Sequence, residues 1–585
     1  MVTVILAEKE TQAVAYAECL GKASKKGKVH IIKQTPYFSD EVHIIAAEGH
    51  LFEYGLPKDN WDLDKLPLVD VSFKQTLKQD KISKDTFKQI YQEVTAASQV
   101  IIGTDSDREG ERIAYSILSH IPEGKDKVTK RLWANSLTIR GLQKAFQNLR
   151  EPMETYNYYL EAEARAQSDW LVGMNLSPLV TLELQSKGRL PKGKGNSLSV
   201  GRVQTPGVRL ICENDIAIQN FQPETYWKLQ LQDKETEIIF TNKDKYSDSE
   251  LILTTSRELS TVSTVSTVSS VETEEKQRAA PHLFNLSDIQ GLAARQWGFE
   301  PTKTESIIES LYLKKYLSYP RTDTRYIDEE EFSYLRNYLK SYQETINCPF
   351  EPVNMEPRED YVNPKKVAKT SHYALIPTEN IPNLVTLKPE ERLIYEAVVR
   401  RTLLMFAADC RYLTTTVEVE NQGMVFKTKG RQMIDPGWAA LSQQKLKGDV
   451  ELPDYRIGDQ FETKVNILEG VTKPPKRITE SQLISEILPK YGLGTQATRA
   501  TMLKTIQDRG YIKKDKKTGQ LFPTNTAYLL IHYLYDNEFA SPETTGGWET
   551  FLSQIGEGEI NPREFVDAIK EKLTHQIMDA KERRD

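Results

Sequence analysis

Residues 104–111 read Thr-Asp-Ser-Asp-Arg-Glu-Gly-Glu, four carboxylates and one arginine within eight residues, directly after the apolar run Val100-Ile101-Ile102. In extended chain, Asp105, Asp107 and Glu109 fall on one side of the backbone. Like charges at that spacing repel and raise one another's pKa unless a cation neutralises them. Oxygen ligands with no His or Cys nearby suit a hard ion, magnesium above all. The same residues also suit an acidic strand-to-helix turn, whose carboxylates favour a helix N-terminus. Glu8-Lys9 ends the first apolar run. In a parallel sheet the strand ends near 7 and 104 can be neighbours, which would let Glu8 join the acids and set an ammonium beside them.

A second group is Ser318-Tyr319-Pro320-Arg321-Thr322-Asp323. Pro320 holds Tyr319 extended, and Arg321 projects to the same side two residues on. A phenol beside a guanidinium is what a tyrosine nucleophile attacking a phosphodiester would use. The arginine lowers the cost of the phenolate and steadies the non-bridging oxygens. The chain has 27 tyrosines, so a packing role for Tyr319 stays open on these residues alone. Residues 186–202 carry Lys187, Arg189, Lys192, Lys194 and Arg202 with four glycines and no acid. That composition makes a flexible cationic loop suited to phosphate.

These groups need elements to position them. The first 150 residues alternate apolar strands (Val2–Ala7, 42–47, 99–104) with amphipathic helices (11–20, 112–121). Such a pattern gives an α/β unit with its functional groups at the carboxyl ends of the strands. Residues 152–185 read as helical and 225–275 as β-rich, with short alternating runs at 227–231 and 237–240. A threefold Thr-Val-Ser repeat at 261–269 reads as extended chain. Helices return over 281–405, strands at 413–419 and 426–430, and a winged or helix-turn-helix pattern at 479–512. That order suggests one domain inserted in another.

A chain of 585 residues is long enough for several domains. The net charge of −6 counts mildly against nucleic-acid binding, but local potential decides that question. The four cysteines are scattered with no C-x-x-C pair, against a zinc ribbon or a disulfide framework and in keeping with a reducing cytoplasm. The first apolar run lacks a basic leader and reads as a strand, not a signal peptide. No run approaches the length needed to span a membrane.

Taken together, the motifs resemble the type IA DNA topoisomerases, and within them the topoisomerase III-like branch. Ala7-Glu8-Lys9 is similar to the family's opening A-E-K and Gly49-His50-Leu51 to its G-H-L turn. Residues 104–111 match T-D-x-D-R-E-G-E of the Toprim domain, and residues 165–173 the helix lining its single-strand groove. Residues 199–206 resemble S-x-G-R-V-Q-T-P, residues 318–324 the active-site S-Y-P-R-T-D-S, residues 372–378 H-x-A-I-x-P-T, and residues 492–500 G-I-G-T-P-A-T-R-A. Eight motifs stand in the family's order. Glu10-Thr11 replaces the usual Pro-Ser, Asn175-Leu176-Ser177-Pro178 replaces N-x-T-R, and Ala279-Ala280-Pro281 stands at a usual proline triplet. These departures suggest an accessory or mobile-element enzyme.

The resemblance implies a multidomain fold of mixed α/β, α and β parts, a Toprim domain joined to the family's toroidal core. It implies a Toprim unit at 1–150, a DNA-groove body at 151–215 and 471–585, a β-rich hinge at 216–280 and 406–470, and a helical domain bearing Tyr319 at 281–405. Tyr319 would attack single-stranded DNA, forming a 5′-phosphotyrosine and a free 3′-hydroxyl. The link keeps the bond energy, so ATP is not expected, and the nearest approach to a P-loop, residues 21–28, has the wrong spacing. The catalytic set implied is Tyr319, Arg321, Lys9 as proton donor, Glu8 and His372. Glu8, Asp105, Asp107 and Glu109 would hold one or two Mg2+ ions, with no zinc. DNA contacts would come from Trp61, Arg165, Asp169, Arg321, Arg499 and the loop Ser199, Val200, Gly201, Arg202, Val203, Gln204. The expected setting is a cytoplasmic, nucleoid-associated monomer acting on DNA with single-stranded regions, with room for a helicase partner and no membrane. It would relax negative supercoils, decatenate DNA, or both. The Toprim signature also occurs in primases and some nucleases; a primase would lack the Tyr-Pro-Arg group and often carries zinc ligands, the reverse of the pattern here. A non-catalytic DNA clamp would have no use for Glu8, Lys9, Asp105, Asp107, Tyr319 and Arg321 together.

Overall fold

The computed structural model describes residues 1–57, 61–193, 195–262, 264–368, 372–442 and 449–582. Its N-terminal part is a six-stranded sheet made of β1 (Val2–Ala7), β2 (Ala23–Lys26), β3 (Val29–Ile32), β4 (Glu41–Ala46), β7 (Gln99–Gly103) and β8 (Val128–Arg131), in the order β2-β3-β4-β1-β7-β8. A two-stranded ribbon of β5 (Phe52–Tyr54) and β6 (Gln75–Leu77) lies apart from it. β1 pairs in parallel with β4 and β7, and β7 with β8. Central parallel strands bury both faces, which is why β1 and β7 are near-continuous apolar runs, broken only by Thr3 and Gln99. Ile5, Ala7 and Ile101 face one core, shared with α1 (Glu10–Leu20) and α4 (Ile139–Gln147). Val4, Leu6, Val100 and Ile102 face the other, under α2 (Lys81–Ala96) and α3 (Arg108–Leu118).

The helix expected at 112–121 starts four residues earlier. Asp107 caps it, accepting from Gly110 N at 2.8 Å, so the acidic run turns into helix before Glu109. Asp105, Asp107 and Glu109 therefore do not share one side of an extended chain.

Beyond the sheet, three cores nest along the sequence. The outermost joins α5 (Tyr156–Ser186) and α6 (Gln204–Gln219) to the C-terminal helices Pro542–Gly556 and Pro562–Glu582. Leu66 and its neighbours also pack there, and Asn175 fixes that segment by bonding both the amide and the carbonyl of Leu68. The winged pattern is present as the helix Gln496–Asp508 followed by a hairpin of β15 (Ile512–Lys514) and β16 (Leu521–Pro523). The middle core fills a closed barrel of β9 (Thr225–Asp233), β10 (Ile239–Asn242), β11 (Val265–Arg278), β12 (Cys410–Asn421), β13 (Met424–Asp435) and β14 (Gln460–Val471). A helix, α7 (Ser249–Val262), interrupts the β-rich stretch and buries Ile252 and Leu259 against the barrel. The Thr-Val-Ser repeat is thus not uniformly extended: its start ends α7, its later part opens β11, and Ser263 lies outside the described residues. Lys194 of the cationic loop also lies outside them.

The innermost core belongs to a helical body that includes α8 (Leu286–Trp297), α9 (Pro301–Leu313) and α10 (Glu329–Thr345). Among the described residues, no helix is long and apolar enough to cross a membrane. All four cysteines are free.

Candidate active site

The parallel register sets Ala7 beside Gly103, so Glu8 and Asp105 leave adjacent strand ends at the carboxyl edge of the sheet. Glu8 Oε2 accepts from the Asp105 amide at 3.2 Å. Gly110 makes the turn possible: a Cβ there would lie 2.1 Å from the Asp105 carbonyl oxygen. α3 must begin directly against the residue that carries the carboxylate, and only a glycine fits.

Tyr319 comes to this edge from the helical body. Its amide donates to the Asn135 carbonyl at 3.0 Å, and its ring enters the core shared by α1 and α4, edge-on to Tyr312. The phenol donates to Asp107 Oδ2 at 2.9 Å and to Asp105 Oδ2 at 3.2 Å. Burial, then Asp105 and Asp107, push its pKa well above the ordinary phenol value, only partly opposed by Arg321. In this closed arrangement Tyr319 is a neutral donor with two acceptors for its proton.

Glu8 is buried, and burial followed by Asp105 and Asp107 raises its carboxyl well above the usual range. Burial alone would lower the Lys9 ammonium, but Asp105 and a bond to Glu309 of α9 outweigh it and raise it. Lys9 therefore stays protonated. Arg321 donates to Glu305 Oε1 at 3.1 Å. His372 lies against the Tyr319 ring, with centroids 4.2 Å apart, and its Nδ1 is 2.6 Å from Asn135 Oδ1. Burial holds this imidazole down at about 3.

Among the described residues, no three His, Cys, Asp or Glu side chains stand ready-made as a cation site. Asp105 and Asp107 are turned to Tyr319, to Gln12 and to the Gly110 amide. Yet burial and the neighbouring carboxylates raise the carboxyls of Glu8 and Asp105, and an all-oxygen set of this kind supplies the donors a hard cation stabilises. Glu8, Asp105 and Asp107 fit such an ion once the phenol moves away. Glu109, expected with them, is on the first turn of α3 beside His50 Nε2 at 3.4 Å. Against its burial, His50 and Arg165 hold its carboxyl down at about 2.

A cleft of about 210 Å³ opens next to Tyr319, lined by Asp107, Arg108, Arg165, Arg321 and His372 among others. Of the residues expected on DNA, Arg165 lines this cleft, with Nη1 buried and lacking a hydrogen-bond partner. Trp61 is half exposed. Arg202 and Arg499 are not at a surface. Arg202 is enclosed between Asp169 at 2.7 Å and Glu549 at 2.8 Å, and Arg499 bonds the carbonyls of Leu493 and Gly494. Both tie neighbouring segments together in this form. Gly201 donates to Thr205 and Ser199 to the Tyr511 hydroxyl, while Val200 is buried, Val203 half-buried, and Gln204 accepts from Arg509. Sequence reasoning missed Gln12, Asn135, Arg108, Glu161, Glu305, Glu309 and Glu549. Arg108 bonds Glu161 and stood inside the acidic motif, but the others carry no local signal.

Residues 153–567 match the family model described as DNA topoisomerase, and residues 3–137 match the Toprim domain model. DNA topoisomerase 1 of Alkalihalophilus pseudofirmus is 28% identical, covering 98% of this chain and 84% of its own. DNA topoisomerase 3 of Bacillus subtilis is 29% identical, covering 98% and 81%. The fold resembles that of full-length topoisomerase I from Thermotoga maritima, with a TM-score of 0.72 at 22% identity over 98% of this chain and 90% of that one.

Proposed function

We propose a division of labour for this chain, which belongs to the type IA DNA topoisomerase family. It is an isomerase that cuts one DNA strand, passes another and reseals the break. Its Toprim domain is of a metal-binding kind.

In this reading Tyr319 Oη attacks a phosphorus atom of single-stranded DNA. Its proton passes to Asp107 or Asp105, which already accept from it. The new bond is a 5′-phosphotyrosine, the bond to the 3′-oxygen breaks, and Lys9 protonates that leaving oxygen. Arg321, released from Glu305, steadies the non-bridging oxygens. His372, neutral and braced by Asn135, orients the phosphate and the tyrosine ring. Glu8, Asp105 and Asp107 would hold magnesium, which when bound supplies alignment of the 3′ end for religation. Arg165 and Trp61 track the strand by charge and stacking. The helical body at 281–405 carries the 5′ end away on the barrel segments at 216–280 and 406–470, so a second strand can pass. The groove walls come from 151–215 and 471–585, and the Toprim unit is 1–150. Relaxation and decatenation both follow from this cycle, in a cytoplasmic enzyme on nucleoid DNA without ATP.

The observation that carries the reading is the Tyr319 hydroxyl bonded to both carboxylates across the boundary between the two bodies. A single-stranded oligonucleotide labelled at its 3′ end, quenched with denaturant, is expected to yield a covalent protein–DNA adduct. Tyr319→Phe should bind the DNA equally well and give none. An adduct with the phenylalanine variant, or none with the wild type, defeats the assignment.

A further inference from the structure

Gln12 is 1% exposed in the first turn of α1, and its carboxamide is used at both ends. Oε1 accepts from the amides of Glu8 and Lys9, each at 3.1 Å, and Nε2 donates to Asp105 Oδ1. Asp105 therefore has one oxygen committed to Gln12 and the other to the Tyr319 hydroxyl. A carboxylate tethered at one oxygen cannot rotate about its Cβ–Cγ bond, so the tether fixes where Oδ2 points. The same carboxamide ties that carboxylate to the backbone carrying Glu8 and Lys9.

We propose that Gln12 is a positioning residue for cleavage: it aims Asp105 Oδ2 at the phenol of Tyr319 and holds Glu8 and Lys9 in register with it. The inference rests on the nucleophile assignment above. A purely structural role is the alternative, because the bonds to the Glu8 and Lys9 amides also close the start of α1. The two roles use different atoms. Gln12→Glu keeps an oxygen for the amides and removes the donor to Asp105. Gln12→Leu and Gln12→Met remove both without adding charge.

The experiment is single-turnover adduct formation on the 3′-labelled oligonucleotide at saturating DNA, with DNA affinity and thermal melting measured alongside. Gln12→Glu is expected to keep DNA affinity within about twofold and to slow the adduct rate by about tenfold or more, since small misplacements at a reacting group cost that much. The neutral variant that retains wild-type melting should slow it as well. A wild-type adduct rate in Gln12→Glu overturns the proposal and leaves Gln12 as a helix cap. So does a slow Gln12→Glu beside a neutral variant of normal rate, which would trace the effect to the added charge. Failure of the wild type to form any adduct would instead overturn the nucleophile assignment.

Discussion

At the scale of the residue, the proposed cycle sets the phenol and the ammonium at opposite ends of one bond. Tyr319 rests against proton acceptors, and Lys9 keeps its proton among acids. A general acid contributes about 10²–10⁴-fold where the leaving oxygen needs a proton. Lys9→Met should therefore slow cleavage by about 10²-fold or more. Glu309→Gln, which only releases Lys9 from its resting partner, should change it by less than about tenfold. A substrate with sulfur in place of the bridging 3′-oxygen separates acid catalysis from positioning, because a thiolate leaves without a proton. Lys9→Met is expected to cut that substrate at close to the wild-type rate. If the sulfur substrate stays as slow as the oxygen one, Lys9 is not the proton donor.

At the scale of the element, the acidic motif is a strand, a turn and a helix start compressed into one piece. The closeness of Gly110 to the Asp105 carbonyl makes α3 part of the site's geometry. Gly110→Ala should cost about 1–3 kcal/mol of stability by overpacking, read from denaturant unfolding, and slow adduct formation in protein that is still folded. Equal activity at reduced stability would show that the contact supports the fold alone. The acids, the tyrosine and the parallel strands were legible in the sequence, since each is written in a local run of residue types. The Asp107 cap was less so, because an alternating acidic run fits strand and helix start alike until the Gly110 contact decides. The barrel's closure was not legible at all. β9 pairs with β14 across more than two hundred residues, and short alternating runs do not name their partners. Nor does anything near Glu549 in the chain mark it as the partner of Arg202.

At the scale of the whole molecule, the site is sealed between two bodies, and in the proposed cycle these part to admit DNA and to pass a strand. The seal combines the buried Tyr319 ring with ion pairs between the sheet-bearing body and the helical one: Lys9–Glu309, Lys315–Glu18, Lys144–Glu330 and Arg140–Glu331. Arg140 also stacks on Tyr334 at 4.2 Å. Exposed pairs contribute about 0–1 kcal/mol each and weaken with salt, so they close the gate without locking it. Glu331 differs from the rest. Burial pushes its carboxyl up to about 7 despite Arg140 and Lys144, with Asp328 adding to the rise. Glu330 and Glu379 also approach Arg140 from this face. A carboxyl that holds its proton more tightly when closed favours closure at low pH. That advantage is lost as pH rises from the ordinary value of 4.5 through about 7. Fluorescence energy transfer between dyes on the two bodies should show the open fraction growing between about pH 5.5 and 8 and growing further with salt. Glu331→Gln, which is neutral throughout, should flatten the pH dependence while keeping the salt dependence. A variant that retains the wild-type pH slope would move the titrating group elsewhere and leave the gate governed by the exposed pairs alone.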